Sequence, residues 1–402
     1  MRPSLLGASA ALVLALPALS APAASGAPPD GAATPAPLRK SAKAIEGQYI
    51  VMLSAGYDAE ASATKVPGVT PLFTYKGVFP GFAARLTPAQ LQAVRTMPGV
   101  AAVEEDAEVT AAPVTASPAA GGRTRAAGLP SASWGLDRID QPYLPLDNQF
   151  TANGTGKGVT AYIVDTGIDF GHAEFGGRAT AGFDAIGDGY NGQDCNGHGT
   201  HVAGTVGGSV HGVAREVDLV SVRVLNCQGK GSWSGIIAGF DWVAQNAKQP
   251  AVLNGSLGGP KNVAVNVAAT AVSDKNVLPV LAAGNSAQDA CGVSPASADR
   301  VLTVGASDYR DEETDFSNFG PCLDVYAPGR AIVSAKLGGG SVALDGTSMA
   351  SPHVAGVAAL YKAANPTATS LTVGGWLLDQ SVKDVLKVSK GSPNRLLQTG
   401  GL

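Results

Sequence analysis

From about residue 159 onward, short apolar runs alternate with longer stretches whose apolar positions recur every three or four residues. Residues 159–164, 219–225, 251–253, 277–282 and 301–304 are the apolar runs. A strand with one wet face alternates in polarity, so near-continuous runs predict strands buried on both faces. Between them, residues 198–207, 232–248, 263–275 and 348–362 have helical spacing. Strands interleaved with helices predict an α/β fold, a parallel sheet covered by helices on both sides. Sites in such folds lie at the carboxyl ends of the strands.

A smaller pattern precedes this one. Residues 48–53 read as a strand, and Thr87-Pro88 supplies an N-cap and first-turn proline for a helix through residue 94. Pro98-Gly99 makes a turn, and residues 100–103 read as a second strand, so 47–112 forms a small α+β domain. Residues 26–46 read as a disordered lead-in. Residues 113–130, rich in Ala, Pro and Gly and carrying Arg123 and Arg125, read as a cleavable linker, with 131–402 as the large domain. At the start, Arg2 precedes an apolar stretch from Leu5 to Leu19, followed by Ser20, Ala21 and Ala23. That is the layout of a secretory signal peptide over residues 1–25, short of the roughly 20 apolar residues of a membrane span. The chain is expected outside the cell, with no membrane attachment.

Composition adds three constraints. With 45% hydrophobic and 15% charged residues, the 402-residue chain folds rather than remaining disordered. A formal net charge of −4 without a basic run gives no reason to expect a nucleic-acid partner. The four cysteines, in an exported chain, point to disulfides, but spacing alone leaves all three pairings open.

Three segments carry chemistry. Asp165 follows a buried strand in Val164-Asp165-Thr166-Gly167. His198 opens a helix in Asn196-Gly197-His198-Gly199-Thr200-His201. Ser348 follows a glycine turn in Asp345-Gly346-Thr347-Ser348-Met349-Ala350-Ser351-Pro352-His353. A serine hydroxyl needs a base to become a nucleophile, and histidine serves near neutral pH. A buried carboxylate fixes the imidazole tautomer and stabilises the imidazolium. A helix N-terminus beside Ser348 offers N–H groups and a positive dipole end to a developing oxyanion. His198 and His201 could suggest a metal pair, but the glutamate of the zinc-peptidase pattern is missing. His201 and His353 read as structural residues of their helices.

Together these motifs resemble the subtilisin-like serine proteases, in particular the proteinase K and aqualysin branch, from Trp134 to about Leu397. The resemblance implies the subtilisin-like three-layer fold, preceded by a ferredoxin-like inhibitory and chaperoning pro-domain. It implies that Asp165 orients, His198 is base and acid, Ser348 is the nucleophile, and Asn285 of Ala282-Ala283-Gly284-Asn285 donates to the oxyanion. It implies substrate held along Gly229-Lys230-Gly231 and Ser256-Leu257-Gly258, with Trp233 lining a more distant subsite. The pocket before the scissile bond would be walled by Ser256–Gly258 and Ala283–Asn285, which bring no carboxylate. Apolar or aromatic residues are therefore expected there, with broad tolerance. Asn254-Gly255 departs from the larger residues usual before this run.

The resemblance further implies disulfides Cys195–Cys227 and Cys291–Cys322. It implies no catalytic cofactor, but structural calcium: one site at Asp137, Asp140, Gln141 and Asp147, another at Asp324 with carbonyls near Asp299 and Val301. A monomer is expected, with protein and peptide substrates and its own pro-domain as intramolecular inhibitor. Maturation cleavage is expected between about residues 115 and 131. Two rivals share this fold: a catalytically silent pseudoprotease that binds peptides, and a precursor that persists as an inhibitor.

Overall fold

The structure, a computed structural model, describes residues 34–111, 115–116, 133–388 and 391–402 of the chain. The expected signal peptide, the start of the lead-in and nearly all of the linker lie outside the described residues.

The small unit contains β1 (Leu38–Arg39), β2 (Ala44–Leu53), α1 (Ala59–Ala63), β3 (Pro71–Tyr75), β4 (Gly81–Arg85), α2 (Pro88–Arg95) and β5 (Val100–Ala111). From β2 to β5 the element order is βαββαβ, and the antiparallel strands lie in the order β5-β2-β4-β3, the split-βαβ arrangement. Thr87 starts α2 as its sequence predicts: Thr87 Oγ1 accepts from Gln90 N, and the Gln90 side chain accepts from Thr87 N, a capping box. One expectation fails here. Residues 34–46 are not a disordered lead-in, because β1 pairs in parallel with β5 and β2 begins at Ala44. Backbone pairing to a distant strand supplies the order that their low apolar content does not reveal.

The large domain contributes β6 (Thr115–Ala116), α3 (Trp134–Asp140), β7 (Thr160–Asp165), β8 (Ala179–Asp184), α4 (His198–Gly207), β9 (Asp218–Arg223) and β10 (Lys230–Ser232). Next come α5 (Trp233–Asn246), β11 (Ala251–Gly255), β12 (Leu257–Pro260), α6 (Val263–Asp274), β13 (Val277–Ala282), β14 (Val293–Ser294) and β15 (Leu302–Ser307). The domain ends with β16 (Val325–Pro328), β17 (Ile332–Ala335), β18 (Ser341–Asp345), α7 (Thr347–Ala364), α8 (Ser370–Gln380), β19 (Val382–Lys383) and β20 (Arg395–Leu396).

Nine of these strands form one sheet in the order β19-β20-β16-β15-β13-β11-β7-β9-β8, parallel except at the β19 edge. The apolar runs are explained by what covers them. Ala161 and Ile163 of β7 enter a cluster with Val202 and Val206 of α4 and Met349 and Val354 of α7. Their neighbours Tyr162 and Val164 enter a separate cluster with Ile236 and Phe240 of α5 and Val265 and Val272 of α6. β7 thus buries both faces, at roughly 25 cal/mol per Å2 of apolar surface. Small residues set the approach of α7: a Cβ on Gly356 would lie 2.5 Å from Val213 Cβ. From β7 the chain builds β8 and β9 on one side, then crosses to β11, β13, β15 and β16 on the other. The end of β7 is therefore a topological switch point, where ligands bind in such sheets.

Candidate active site

Asp165 is the last residue of β7 and is fully buried. His198 is the first residue of α4, reached through Gly197, whose φ of 104° suits glycine. The two side chains meet: His198 Nδ1 lies 2.8 Å from Asp165 Oδ1 and 2.9 Å from Oδ2. Nδ1 is the donor, since the carboxylate can only accept, so Nε2 of the neutral ring is the basic nitrogen. That Nε2 is buried without a hydrogen-bond partner among the described residues. Burial alone would push the imidazole down. The charge and hydrogen bond of Asp165 outweigh it, with Asp194 adding its charge, and His198 is held above the usual histidine value.

Asp194 also ties the two elements together. Its Oδ1 accepts from Thr166 Oγ1, Asn196 N and Gly197 N, and its Oδ2 from Thr200 N and Oγ1. One buried carboxylate thereby links the residue after Asp165 to both ends of the turn that presents His198. The sequence reading missed it, although an Asp four residues before the histidine was a visible signal. Arg223 adds a second tie from Nε to the Thr166 carbonyl.

Ser348 is the second residue of α7 and buried. Its Oγ donates to the Ser256 carbonyl at 3.3 Å rather than to His198. Pro352 explains part of this local geometry. It has no N–H, so the Ser348 carbonyl four residues earlier lacks a helical donor, and Ser256 Oγ donates to it at 2.9 Å. The helix start is thereby joined to the Ser256–Gly258 segment. Asn285 lies just beyond β13. Its Oδ1 accepts from Thr347 N at 2.9 Å and Thr347 Oγ1 at 2.7 Å, which directs the amide's donor end the other way. Asn318, also absent from the sequence reading, holds this loop through Nδ2 to the Ala283 carbonyl and Oδ1 from Ser286 N and Gln288 N.

Two backbone edges flank the site, and the small unit fills the space between them. The end of β5 pairs antiparallel with β10, Thr110 opposite Lys230 and Val109 opposite Gly231. It also pairs antiparallel with β12, Ala111 opposite Leu257 and Thr110 opposite Gly258. Ala111 N donates to the Gly229 carbonyl at 2.7 Å. Further along the chain, Thr115 pairs with Asp345, three residues before Ser348. Trp233 is fully buried in the cluster that contains Val109 and Leu257. A cavity of about 440 Å3 opens beside these edges; of the expected walls, Leu257, Gly258, Gly284 and Asn285 line it, while Ser256 and Ala283 do not. Ala282, Gln288, Gly292 and Val293 are among the further lining residues and were not foreseen. Its one charged neighbour is Lys43, which comes from the small unit.

Two helix starts nearby receive carboxylates from the small unit. Asp106 Oδ1 accepts from Ser234 N of α5 at 3.0 Å, and Glu104 accepts from Val263 N and Ala264 N of α6 at 3.1 and 3.0 Å. In return, Asp241 Oδ1 of α5 accepts from Lys76 N, Gly77 N and Val78 N.

The remaining candidates are as follows. His201 and His353 are buried and pushed down to about 3 and about 4 by desolvation, so both are neutral. His201 Nε2 faces the carbonyls of Ile332 and Val342, and His353 Nδ1 that of Met349. The cysteines pair as Cys195–Cys227 and Cys291–Cys322. Closing loops of about 30 residues stabilises by about 3–4 kcal/mol in the chain-entropy view. Among the described residues, no three His, Cys, Asp or Glu side chains converge to hold a metal. Asp137 accepts from Asp147 N and Asn148 N, Asp140 from Thr151 N, and Asp147 from Gln149 N. Gln141 Nε2 donates to the Tyr143 and Pro145 carbonyls. Asp137 and Asp140 are pushed up to about 6 by burial, with the Asp147 charge adding. Asp324 accepts from Thr303 N, and the Asp299 carbonyl, two residues before Val301, accepts from Thr270.

A buried carboxylate at the end of β7, an imidazole opening α4 and a serine in the first turn of α7, beside two backbone edges, are the residue types a serine peptidase site needs. Residues 156–400 match the subtilase family and residues 54–112 the peptidase inhibitor I9 family. The chain belongs to the subtilase family and is a serine endopeptidase carrying an I9 pro-domain. It is 43% identical over 417 residues to an extracellular serine proteinase of Thermus sp. (strain Rt41A), covering 96% of this chain and 98% of that one. It is 48% identical over 317 residues to alkaline serine exoprotease A of Vibrio alginolyticus, covering 79% of this chain and 58% of that protein. A solved structure of a cold adapted subtilisin-like serine proteinase, 50% identical, matches with a TM-score of 0.66 over 67% of this chain and 98% of its own. No helix among the described residues is long and apolar enough to cross a membrane.

Proposed function

We propose that the protein is a secreted serine endopeptidase of broad specificity, favouring apolar or aromatic residues before the scissile bond and made as a self-processing precursor. Ser348 Oγ turns from the Ser256 carbonyl to His198 Nε2 and attacks the peptide carbonyl carbon as its proton passes to that nitrogen. The new oxyanion is met by the Ser348 N–H and the Asn285 amide, each such donor being worth about 3–4 kcal/mol of barrier. Asp165 holds the imidazolium. His198 then gives its proton to the leaving amine as the C–N bond breaks, and water releases the acyl group by the reverse path.

The observation that carries this reading is the end of β5, bonded as an added strand between Gly229–Gly231 and Ser256–Gly258 as an extended substrate would be. The same strand register supports a maturation point near the end of β5. Ala111 is paired on one side of Ser348 and Thr115 on the other, so the bond cut lies between Ala111 and Thr115. That is just upstream of the window of about residues 115 to 131 expected from the sequence. The cavity of about 440 Å3 has no carboxylate, which favours apolar and aromatic side chains. Secretion is supported by the sequence of residues 1–25 and by the extracellular relative.

Calcium would be held by Asp137, Asp140, Gln141 and Asp147. Asp137 and Asp140 at the end of α3 and Asp147 in the following loop supply oxygen donors of the kind a hard cation takes, although the three side chains do not converge on one point among the described residues. The Asp324 set with the Asp299 and Val301 carbonyls fits less well, because Thr303 and Thr270 already occupy two of its acceptors. The ion would stabilise the fold and take no part in the reaction.

The test is fluorophosphonate labelling of the matured protein together with digestion of a peptide library. Label on Ser348 and cuts after Phe, Tyr, Leu and Ala are expected. Absence of label on Ser348, or cuts confined to Lys and Arg, would overturn the assignment.

A further inference from the structure

The I9 match begins at residue 54, yet the chain is tied to β5 well before it. Ala36 N donates to the Arg95 carbonyl at 2.7 Å, and Arg95 Nε donates back to the Ala36 carbonyl at 2.8 Å. Leu38 and Arg39 pair in parallel with Val103 and Glu104. Those same two residues pair with Val51 and Ile50 of β2, so β1 occupies the opposite edge of β5. Ser41 N then donates to Glu105 Oε2 at 3.0 Å, and the Lys43 carbonyl accepts from Glu108 N at 3.1 Å. By Ala44 the chain has joined β2, antiparallel to Ala107. Residues 40–43 therefore cross over β5 from one edge to the other, at the level where that strand enters the cleft. The crossing ends at Lys43, which stands at the rim of the substrate cavity.

We propose that residues 36–43 are a strap, an integral part of the inhibitor that fixes the register of the β5 tail in the cleft and covers the rim of the pocket. A strand held on one edge can slip, and a slip of one residue turns every side chain to the other face. Pairing on both edges removes that freedom just upstream of Val109, which packs in the cluster with Trp233. Arg39 also places a positive charge beside Glu104, the carboxylate that receives the start of α6. The inference rests on residues 47–112 acting as the inhibitor.

Full-length precursors test it. The readout is latency, the interval between self-cleavage and the appearance of activity on a small chromogenic peptide. Deleting residues 35–42 is expected to shorten latency at least about fivefold. The double variant Arg39→Ala/Lys43→Ala is expected to shorten it about twofold. In the uncut Ser348→Ala chain, the same changes should raise amide exchange at Val109 and Thr110. Normal latency and normal exchange in the double variant would overturn the strap even if the deletion failed to fold. A wild-type precursor showing no latency would instead sink the inhibitor reading itself.

Discussion

The starts of α5 and α6 on one hand and of α7 on the other treat negative charge in opposite ways. At α5 and α6 the exposed amides are filled by resident carboxylates, Asp106 and Glu104, delivered by the pro-domain. At α7 no carboxylate is supplied; Asn285 Oδ1 takes Thr347 N, and Ser348 sits at the first turn. The physics is shared, since helix N-termini carry unpaired N–H groups and a positive dipole end. The difference is when the charge arrives. At α5 and α6 it is a permanent group carried by the pro-domain, and at α7, in the mechanism we propose, it would exist only while the carbonyl is tetrahedral.

That contrast can be broken at either end. Replacing Asn285 by Ala should lower kcat by about 10²- to 10³-fold, a range established for the same kind of donor in a related subtilase. Pro-domain affinity should be unchanged, as measured by inhibition of the matured enzyme. Loss of affinity with intact kcat would reverse the assignment. Replacing Glu104 or Asp106 by Ala should do the opposite. Each leaves buried amides without a partner, weakening docking about 10- to 100-fold while the matured enzyme keeps its kcat.

The sign of the pH effect sharpens the same comparison. Burial raises both Glu104 and Asp106 above their ordinary values, outweighing the amide bonds that pull the other way. The docked state therefore takes up protons that the separated state does not. Docking should tighten as pH falls from neutral toward the ordinary carboxylate range and weaken again as pH rises. The Ala variants should show a flatter dependence. A docking constant that weakens steadily with acidification in the wild-type chain would contradict this.

Much of this was legible in the sequence, for physical reasons that differ by region. The strands buried on both faces announced themselves as apolar runs, and β13 runs over 277–282 as the pattern predicts. Helices α4, α5, α6 and α7 begin within a residue of their expected starts, because Ser232 and Asn262 are real caps that accept from Gly235 N and Val265 N. The edge strand β8 was missed because only one of its six residues is buried and its register shifts near Phe183, leaving no continuous run. The strap was missed because its order comes from backbone bonds to β5, about 65 residues away, rather than from its own side chains. Asp194 and Asn318 escaped notice because a polar residue that organises a loop carries no periodicity. The candidate catalytic side chains were singled out by motif chemistry, and Asp165 and His198 do meet, yet the sequence could not reveal that Ser348 Oγ rests against the Ser256 carbonyl.

The central assertion is that this serine, activated through the Asp165–His198 pair, cuts the chain that carries it. Intact-mass analysis of the full-length protein, wild type beside Ser348→Ala, addresses it in one experiment. The wild type should yield two pieces divided between Ala111 and Thr115, and the variant should stay whole. Equal cleavage of the variant, in the absence of any other peptidase, would contradict the account.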